Sequence, residues 1–374
     1  MGIGSSVAQS QTTSPPACCR LLHGWNFACR ASDRDRCNET TRLALPLEGF
    51  NSYTPVAMDK TFVTAREDRP GEAWLSRFIA GRAEAERWYF GQAASPTPTA
   101  KDCRAALLQH MPELVPYYEH ACALVGDDEV AHRMLSHYRP APERYGCSQA
   151  VWLGKEGPAL VRNFDYPPDI VSDRFEMTAW SGLRVISKAQ RPWGGCVDGM
   201  NEDGLVASVT LAGSRTQGVG FSIILMIRYI LETCHHVNQA IEALCRIPVA
   251  LSQNVTVLDR SGRYAALFLG PHQRPIISRL KACTNHQRTA RPSSSSMARQ
   301  LIAQQALEDP SMSLSRLTDL FLLPPLYSRR GSYPTLYTAV YRPVEGRVDY
   351  VWPGKRWSQR FEDFREGEYT HTYG

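Results

Sequence analysis

The sequence predicts an α+β fold in which antiparallel sheets are flanked by helices. Three observations support this prediction. Helical periodicity dominates residues 71–137, strand-like runs joined by glycine-containing turns dominate from residue 146 onward, and further helical segments interrupt those strands. Strands that follow one another through hairpins form antiparallel sheets, and grouped helices then cover the faces of those sheets.

The helices are predicted from apolar spacing. In residues 71–90, Trp74, Leu75, Phe78 and Ile79 recur three and four positions apart, which is typical of an amphipathic helix. The same reasoning predicts helices over residues 105–125, 127–137, 221–234, 237–246 and 297–307. Because the apolar run over residues 219–231 contains Arg228 and is too short to cross a bilayer, we interpret it as part of a buried helix.

The strands are predicted from short apolar runs separated by turn residues. Residues 147–153 and 158–164 flank Gly154-Lys155-Glu156-Gly157 and form the first predicted hairpin. Similar patterns predict hairpins over residues 197–211, 254–269 and 335–352.

Composition excludes several classes of function. The 374 residues carry a net charge of +5 without a basic stripe, so nucleic acid is not an expected partner. The eleven cysteines lack paired metal-ligand spacing, so we expect no structural metal site. We expect the thiols to be reduced and the protein to be cytoplasmic, with no integral membrane segment.

The first hairpin carries the most informative residues. Antiparallel pairing returns Arg162 and Asp165 to the neighbourhood of Cys147. A thiolate is the reactive form of cysteine, and a nearby guanidinium stabilises it. The arrangement therefore predicts an activated cysteine nucleophile.

Several motifs occur in an order that resembles one enzyme family. They are Gly146-Cys147-Ser148, Arg162-Asn163-Phe164-Asp165-Tyr166, Gly199-Met200-Asn201-Glu202-Asp203-Gly204-Leu205, the run from Asn254 to Gly262, Thr284-Asn285-His286, and the run from Thr335 to Tyr341. Together they resemble the N-terminal-nucleophile (Ntn) cysteine hydrolases of the acyl-coenzyme A:6-aminopenicillanic acid acyltransferase group, peptidase family C45, which are relatives of the choloylglycine hydrolases. The resemblance spans residues 74–352.

The resemblance implies an αββα sandwich and a self-processing precursor. Cleavage between Gly146 and Cys147 would free an α-amine that serves as the base for the thiol. Glycine suits this position because it tolerates the strained backbone that an N-to-S acyl shift requires. We therefore divide the chain into a poorly ordered extension (1–57), a helical propeptide or α-chain region (58–146) and a catalytic region (147–374), with Met58 as an alternative start. The cleaved chains would form a heterodimer.

The resemblance also implies roles for other residues. Asp165 would hold the α-amine and Arg162 would lie near the thiolate, while Asn201 and Asn254 would contribute to the oxyanion hole. For a late arginine, Arg329 is the best positional match.

Two other arginines, Arg330 and Arg299, are alternatives to Arg329. Trp152, Phe164 and Tyr166 are candidates for an apolar acyl pocket, although aromatic residues in strands are more often core. The chemistry requires neither a metal nor an organic cofactor.

The expected substrate is a linear acyl amide or an acyl thioester, including acyl-CoA. Water or an amine would release the acyl group, and the sequence leaves hydrolase and transferase both open. Two other interpretations remain: a non-catalytic protein of the same fold that binds an acylated ligand, and a thiol hydrolase that pairs Cys147 with His286.

Overall fold

Two β-sheets form the centre of the molecule. A computed structural model describes residues 58–91, 98–141, 146–190, 193–213, 216–287, 292–329, 331 and 333–373, and the predicted extension over residues 1–57 lies outside them. With strands numbered in chain order, the nine-stranded sheet runs β10 (Ile276–Ser278), β9 (Tyr264–Leu269), β8 (Gln253–Leu258), β7 (Val206–Leu211), β6 (Cys196–Asn201), β5 (Val185–Ala189), β4 (Arg174–Thr178), β1 (Met58–Arg66), β15 (Gly367–Tyr373). The six-stranded sheet runs β11 (Ala282–Cys283), β2 (Gly146–Gly154), β3 (Gly157–Asp165), β12 (Thr335–Arg342), β13 (Arg347–Trp352), β14 (Lys355–Arg360).

Helices lie before and between these strands. Those that precede β2 are α1 (Glu72–Ala80), α2 (Arg82–Phe90), α3 (Ala100–His110), α4 (Val115–Val125) and α5 (Glu129–Leu135). Those that follow are α6 (Ile223–Thr233), α7 (Val237–Arg246), α8 (Ser294–Glu308) and α9 (Leu314–Phe321). The helix predicted over residues 71–90 is two helices, because Gly81 ends α1 and begins α2. The helix predicted over residues 105–125 is likewise divided, by a short 3₁₀ turn at Pro112–Leu114.

The elements form four layers. The sheets face each other where β2 and β3 pack against β7 and β8. Helices α6 and α7 cover the nine-stranded sheet, and α8 and α9 cover the six-stranded sheet. This arrangement confirms the predicted α+β class and its αββα layers.

The predicted buried helix is α6. Arg228 on α6 has no exposed side-chain surface, and its guanidinium is paired with Glu176 at 2.6 Å and Glu232 at 3.3 Å. A buried arginine needs such partners because an unpaired charge is costly to remove from water.

Strand β1 was not predicted, and it lies within the region that was expected to be helical. It pairs antiparallel with β15 from Met58↔Tyr373 to Thr64↔Gly367, and parallel with β4 from Val63 to Arg66. Residues that precede Cys147 therefore supply an interior strand to the nine-stranded sheet.

Candidate active site

The hairpin of β2 and β3 brings Cys147 and Arg162 into contact. The register pairs Cys147 with Phe164 and Gln149 with Arg162. Arg162 crosses back along the sheet, so that its Nη2 lies 2.9 Å from the Cys147 sulfur. The structure therefore places the guanidinium where the sequence predicts it, beside the thiol.

The Cys147 thiol is fully buried. Burial raises its pKa to about 11, and the negative charge of Asp165 adds to this effect, while Arg162 and Arg299 oppose it. A thiol with this pKa is protonated at neutral pH. The Cys147 thiol is thus both shielded from solvent and weakly ionised.

Asp165 lies beside the peptide bond that joins Gly146 to Cys147. It is the register partner of Gly146, and its carboxylate accepts a 2.7 Å hydrogen bond from the Thr335 hydroxyl. Burial raises the pKa of Asp165, and Arg299 is foremost among the groups that lower it. A Cβ atom added at Gly146 would lie 3.0 Å from both Cβ and Oδ2 of Asp165.

The reason for glycine at position 146 differs from the sequence-based one. Its φ lies outside the left-handed region, so the backbone conformation does not demand glycine. The close approach of Asp165 instead favours glycine, because a Cβ at position 146 would force the Asp165 side chain to move by a few tenths of an ångström.

Two further side chains hold the main chain of Cys147. Asn285 accepts the Cys147 N–H through Oδ1 at 2.9 Å, and Arg299 donates to the Cys147 carbonyl at 2.7 Å. Arg299 also donates to the Ser148 hydroxyl at 2.6 Å and to Asn285 Oδ1 at 2.9 Å. The guanidinium of Arg299 lies 3.9 Å from Asp165. Of the two described candidates for the late arginine, Arg299 and Arg329, Arg299 is therefore the one that contacts Cys147.

Asn285, which the sequence identifies only as part of a motif at a strand end that lines a pocket, is in direct contact with Cys147. The Thr284-Asn285-His286 motif drew attention to it, yet its contact with Cys147 joins residues 138 positions apart and has no local signature. Its side-chain nitrogen donates to the Leu211 carbonyl at 3.2 Å.

Asn254 holds the main chain on both sides of Asn285. Its side-chain nitrogen donates to the carbonyl of Thr284 at 3.0 Å and to that of His286 at 3.1 Å. These two carbonyls flank Asn285 in the chain. Asn254 therefore fixes the segment that carries Asn285, and its side-chain donors are occupied.

Asn201 lies away from this cluster. Its amide nitrogen donates to the carbonyls of Leu231 at 3.0 Å and Cys234 at 2.7 Å, and its oxygen accepts from Leu205. These bonds tie the β6–β7 turn to the end of α6. Asn201 is a turn residue with its hydrogen-bonding groups committed, and this arrangement does not fit the predicted oxyanion role.

Arg329 is also outside the cluster. It is exposed in the loop before β12, whereas Arg299 is buried against Cys147. Arg330, the neighbouring alternative, lies outside the described residues.

The three predicted pocket aromatics separate onto two faces of the six-stranded sheet. Phe164 and Tyr166 stack with ring centroids 5.4 Å apart, and both belong to the core that contains Cys147. Trp152 packs in a second core with Ala303 and Leu317, under α8 and α9. Side chains alternate between faces along a strand, and position 152 is an odd number of residues from 147. Trp152 is therefore a core residue on the far side of the sheet, and the structure does not bring it to the side that carries Cys147.

His286 has partners of its own. Its Nδ1 lies 2.9 Å from the Ser296 hydroxyl and 3.3 Å from that of Thr284, and burial lowers its pKa. Within the described residues, the side chain that donates a hydrogen bond to the Cys147 sulfur is that of Arg162. The geometry thus favours a Cys–Arg arrangement over a Cys–His pair.

The described residues contain neither a candidate metal-ion site nor a helix fit to span a membrane. Within those residues no group of three or more His, Cys, Asp or Glu side chains is arranged to hold a metal ion. Across the same part of the chain, no helix has the length and apolar character required to cross a membrane.

One protein family matches the sequence of the region that carries this site. Residues 152–357 match the model of the acyl-coenzyme A:6-aminopenicillanic acid acyl-transferase family, and Cys147 lies just before the matched segment. No curated protein matches the chain.

Several solved structures resemble the chain. They include a mutant conjugated bile acid hydrolase from Clostridium perfringens, with 12% identity, TM-score 0.45 and coverage of 60% of this chain and 96% of that one. Penicillin V acylase from Agrobacterium tumefaciens has 14% identity, TM-score 0.41 and coverage of 59% and 90%. The N-acylethanolamine-hydrolyzing acid amidase ortholog of Caenorhabditis elegans has 12% identity, TM-score 0.37 and coverage of 53% and 93%.

Proposed function

The chain belongs to the acyl-coenzyme A:6-aminopenicillanic acid acyl-transferase family, and we propose that it is a self-processing enzyme with Cys147 as its nucleophile. Family membership indicates an enzyme that transfers an acyl group or hydrolyses an amide. The finer proposal is supported by one observation above all: the sulfur, the amide nitrogen and the carbonyl oxygen of Cys147 are held by Arg162, Asn285 and Arg299, respectively.

Self-processing begins at the bond between Gly146 and Cys147. The Cys147 sulfur attacks the Gly146 carbonyl carbon, the C–N bond breaks, and the thiol proton passes to the departing nitrogen. Water then hydrolyses the resulting thioester, leaving a carboxylate on Gly146 and restoring the thiol. Asn285 holds the nitrogen that becomes the α-amine.

The cleaved enzyme carries nucleophile and base on the same residue. An α-amine has an unperturbed pKa of about 7.7–8, so a useful fraction is neutral at physiological pH and accepts the thiol proton. The sulfur attacks the substrate carbonyl, and the leaving group takes that proton from the ammonium. A thioester acyl-enzyme remains until water or an acceptor amine releases it.

The oxyanion of this reaction needs hydrogen-bond donors. We assign this role to the side-chain nitrogen of Asn285. Its hydrogen bond to the Leu211 carbonyl, at 3.2 Å, is longer than the two 2.9 Å hydrogen bonds that the Asn285 side-chain oxygen accepts from Cys147 and Arg299. Asn254 supports it by holding the neighbouring carbonyls. Arg162 stabilises the thiolate.

The segment before Cys147 stays bound after cleavage under this proposal. Strand β1 is hydrogen-bonded on both sides, to β15 and to β4. Tyr117 of α4 stacks on Trp180 with centroids 4.6 Å apart, and its hydroxyl donates to the Trp193 carbonyl at 2.8 Å. Cleavage therefore yields a heterodimer of two fragments from one chain.

The proposed substrate is a small acyl amide or acyl thioester, and the test is to trap the acyl-enzyme. The purified protein is mixed with a panel of acyl 4-nitroanilides and acyl-coenzyme A esters, quenched in acid and measured by intact mass. We expect an acyl adduct on the fragment that begins at Cys147, removed by hydroxylamine. Cys245→Ala, which alters an exposed cysteine, is the matched control and should keep the adduct.

The main alternative is a non-catalytic protein that binds an acylated ligand. For such a protein we expect reversible binding without an adduct, and an intact chain of 41.9 kDa. Added acceptor amines then separate a transferase, which forms a new amide, from a hydrolase, which releases the acid.

A further inference from the structure

Two buried tyrosines on β12 have no task in the mechanism above. Tyr337 and Tyr341 are fully buried, and both donate their hydroxyls to the carboxylate of Asp198 on β6. The Tyr337 hydroxyl lies 2.7 Å from Asp198 Oδ2, and that of Tyr341 donates to Oδ1. Strands from the two facing sheets thus meet at one carboxylate inside the sandwich.

The same carboxylate holds Arg162. Asp198 Oδ2 accepts from Arg162 Nη1, and the Val197 carbonyl accepts from that nitrogen at 2.9 Å. The other terminal nitrogen, Nη2, is the one 2.9 Å from the Cys147 sulfur. Because a guanidinium is planar and rigid, fixing Nη1 also fixes the direction in which Nη2 donates.

The tyrosines decide how strongly Asp198 competes with the thiolate for the charge of Arg162. A buried carboxylate with no other donor would draw the guanidinium toward itself, whereas two hydroxyl donors share the negative charge. Lys188, the register partner of Asp198 on β5, directs its ammonium to the carbonyls of Ser172 at 2.6 Å and Ala189 at 2.7 Å.

Other buried titratable groups lie near this cluster. Tyr350 on β13 packs against Tyr337 with ring centroids 5.9 Å apart, and the negative charge of Asp198 adds to the burial that raises the pKa of Tyr350. Glu176 on β4 and Cys196 on β6 are buried and act electrostatically on Tyr350. Asp165 and Arg299 act on the thiol from its other side.

We propose that Tyr337 and Tyr341, acting through Asp198, are positioning residues that hold Arg162 against the Cys147 sulfur and so set the reactivity of the thiol. The consequence for catalysis rests on the proposed function, but the reactivity of the thiol is measured without it.

The test compares Tyr337→Phe, Tyr341→Phe and the double variant with the wild-type chain. Tyr118→Phe is the matched control, because it removes a buried tyrosine hydroxyl that donates to the His132 carbonyl at 3.0 Å in the helical region. Iodoacetamide labelling of Cys147 is followed peptide by peptide at one mildly alkaline pH, together with cleavage after Gly146 and turnover of an acyl 4-nitroanilide.

We expect the double variant to label at Cys147 about tenfold more slowly, since charge-assisted hydrogen bonds orient the guanidinium. The kcat should fall by a similar factor with little change in KM, and the single variants should lie between. Tyr118→Phe should match the wild type, and labelling of the exposed Cys245 should be constant throughout.

A purely structural role predicts the reverse sign at Cys147. Loosened packing would expose the buried thiol and speed its labelling, so faster or unchanged labelling in a folded variant overturns the proposal. If the double variant does not fold, the single variants decide by the same criterion. If the wild-type chain neither cleaves nor turns over substrate, the proposed function fails, while the labelling ratio still tests the positioning role.

Discussion

The contact between Gly146 and Asp165 predicts that Gly146→Ala slows self-cleavage. The added Cβ would lie 3.0 Å from Asp165 Cβ and Oδ2 and 3.4 Å from Cγ. Carbon atoms pack at about 3.5–4.0 Å, so the two side chains must separate by roughly half an ångström. The residues are direct register partners, and Asp165 is also held by the 2.7 Å bond from Thr335, so neither has an easy way to move.

The magnitude follows from the cost of overpacking, about 1–3 kcal/mol, which corresponds to about 5- to 150-fold in rate when it falls on the reacting geometry. The assay is a time course of intact mass on newly synthesised chain from a cell-free translation system, because the purified wild type is expected to be already cleaved. Gly71→Ala is the control, because a Cβ at Gly71 meets nothing within 4 Å. Cleavage of Gly146→Ala at or above the wild-type rate would refute the reasoning, since the strain would then not disturb the reaction.

Three further predictions concern the same site. Asn285→Leu leaves the Cys147 N–H and one donor of Arg299 without their acceptor. An unsatisfied buried group costs about 1–3 kcal/mol, so self-cleavage should slow by about 5- to 150-fold. Cleavage at the wild-type rate would contradict this. Burial raises the pKa of the Cys147 thiol to about 11. Before cleavage, the rate at which iodoacetamide labels Cys147 should therefore rise about tenfold per pH unit from neutrality toward that value, because the thiolate is the reactive form. A rate that levels off below pH 9 would count against the burial argument. After cleavage, the fragment that contains β1 should co-elute with the Cys147 fragment in size-exclusion chromatography at high salt. The two fragments are joined by strand pairing and aromatic packing, which salt does not weaken. Separation of the fragments without denaturant would show that β1 is not held.

Local signals were sufficient for much of the fold. The hairpin of β2 and β3 follows from two apolar runs around a glycine-flanked turn, and α7 occupies the predicted residues 237–246. Strand β1 could not be found in this way, because its partner β15 lies about three hundred residues away and its sequence alternates weakly. Strand pairing at that distance is decided by the tertiary structure.

The candidate site likewise contains residues that local sequence signals predict and residues that they do not. Arg162 and Asp165 were found because they share a hairpin with Cys147, so that register alone brings them back. Asn285 and Arg299 come from separate elements, and the choice of Arg329 over Arg299 rested on position in the chain, which does not report burial. Strand alternation alone predicts that Trp152 lies on the opposite face of the sheet from Cys147, which the structure shows.

The most direct test of the central claim is the intact mass of the purified wild-type chain beside that of Cys147→Ala. We predict that the wild type separates under denaturing conditions into two fragments, the second of which begins at Cys147, and that Cys147→Ala remains a single chain. An uncleaved wild-type protein, or a Cys147→Ala protein that is cleaved after Gly146, would contradict the account.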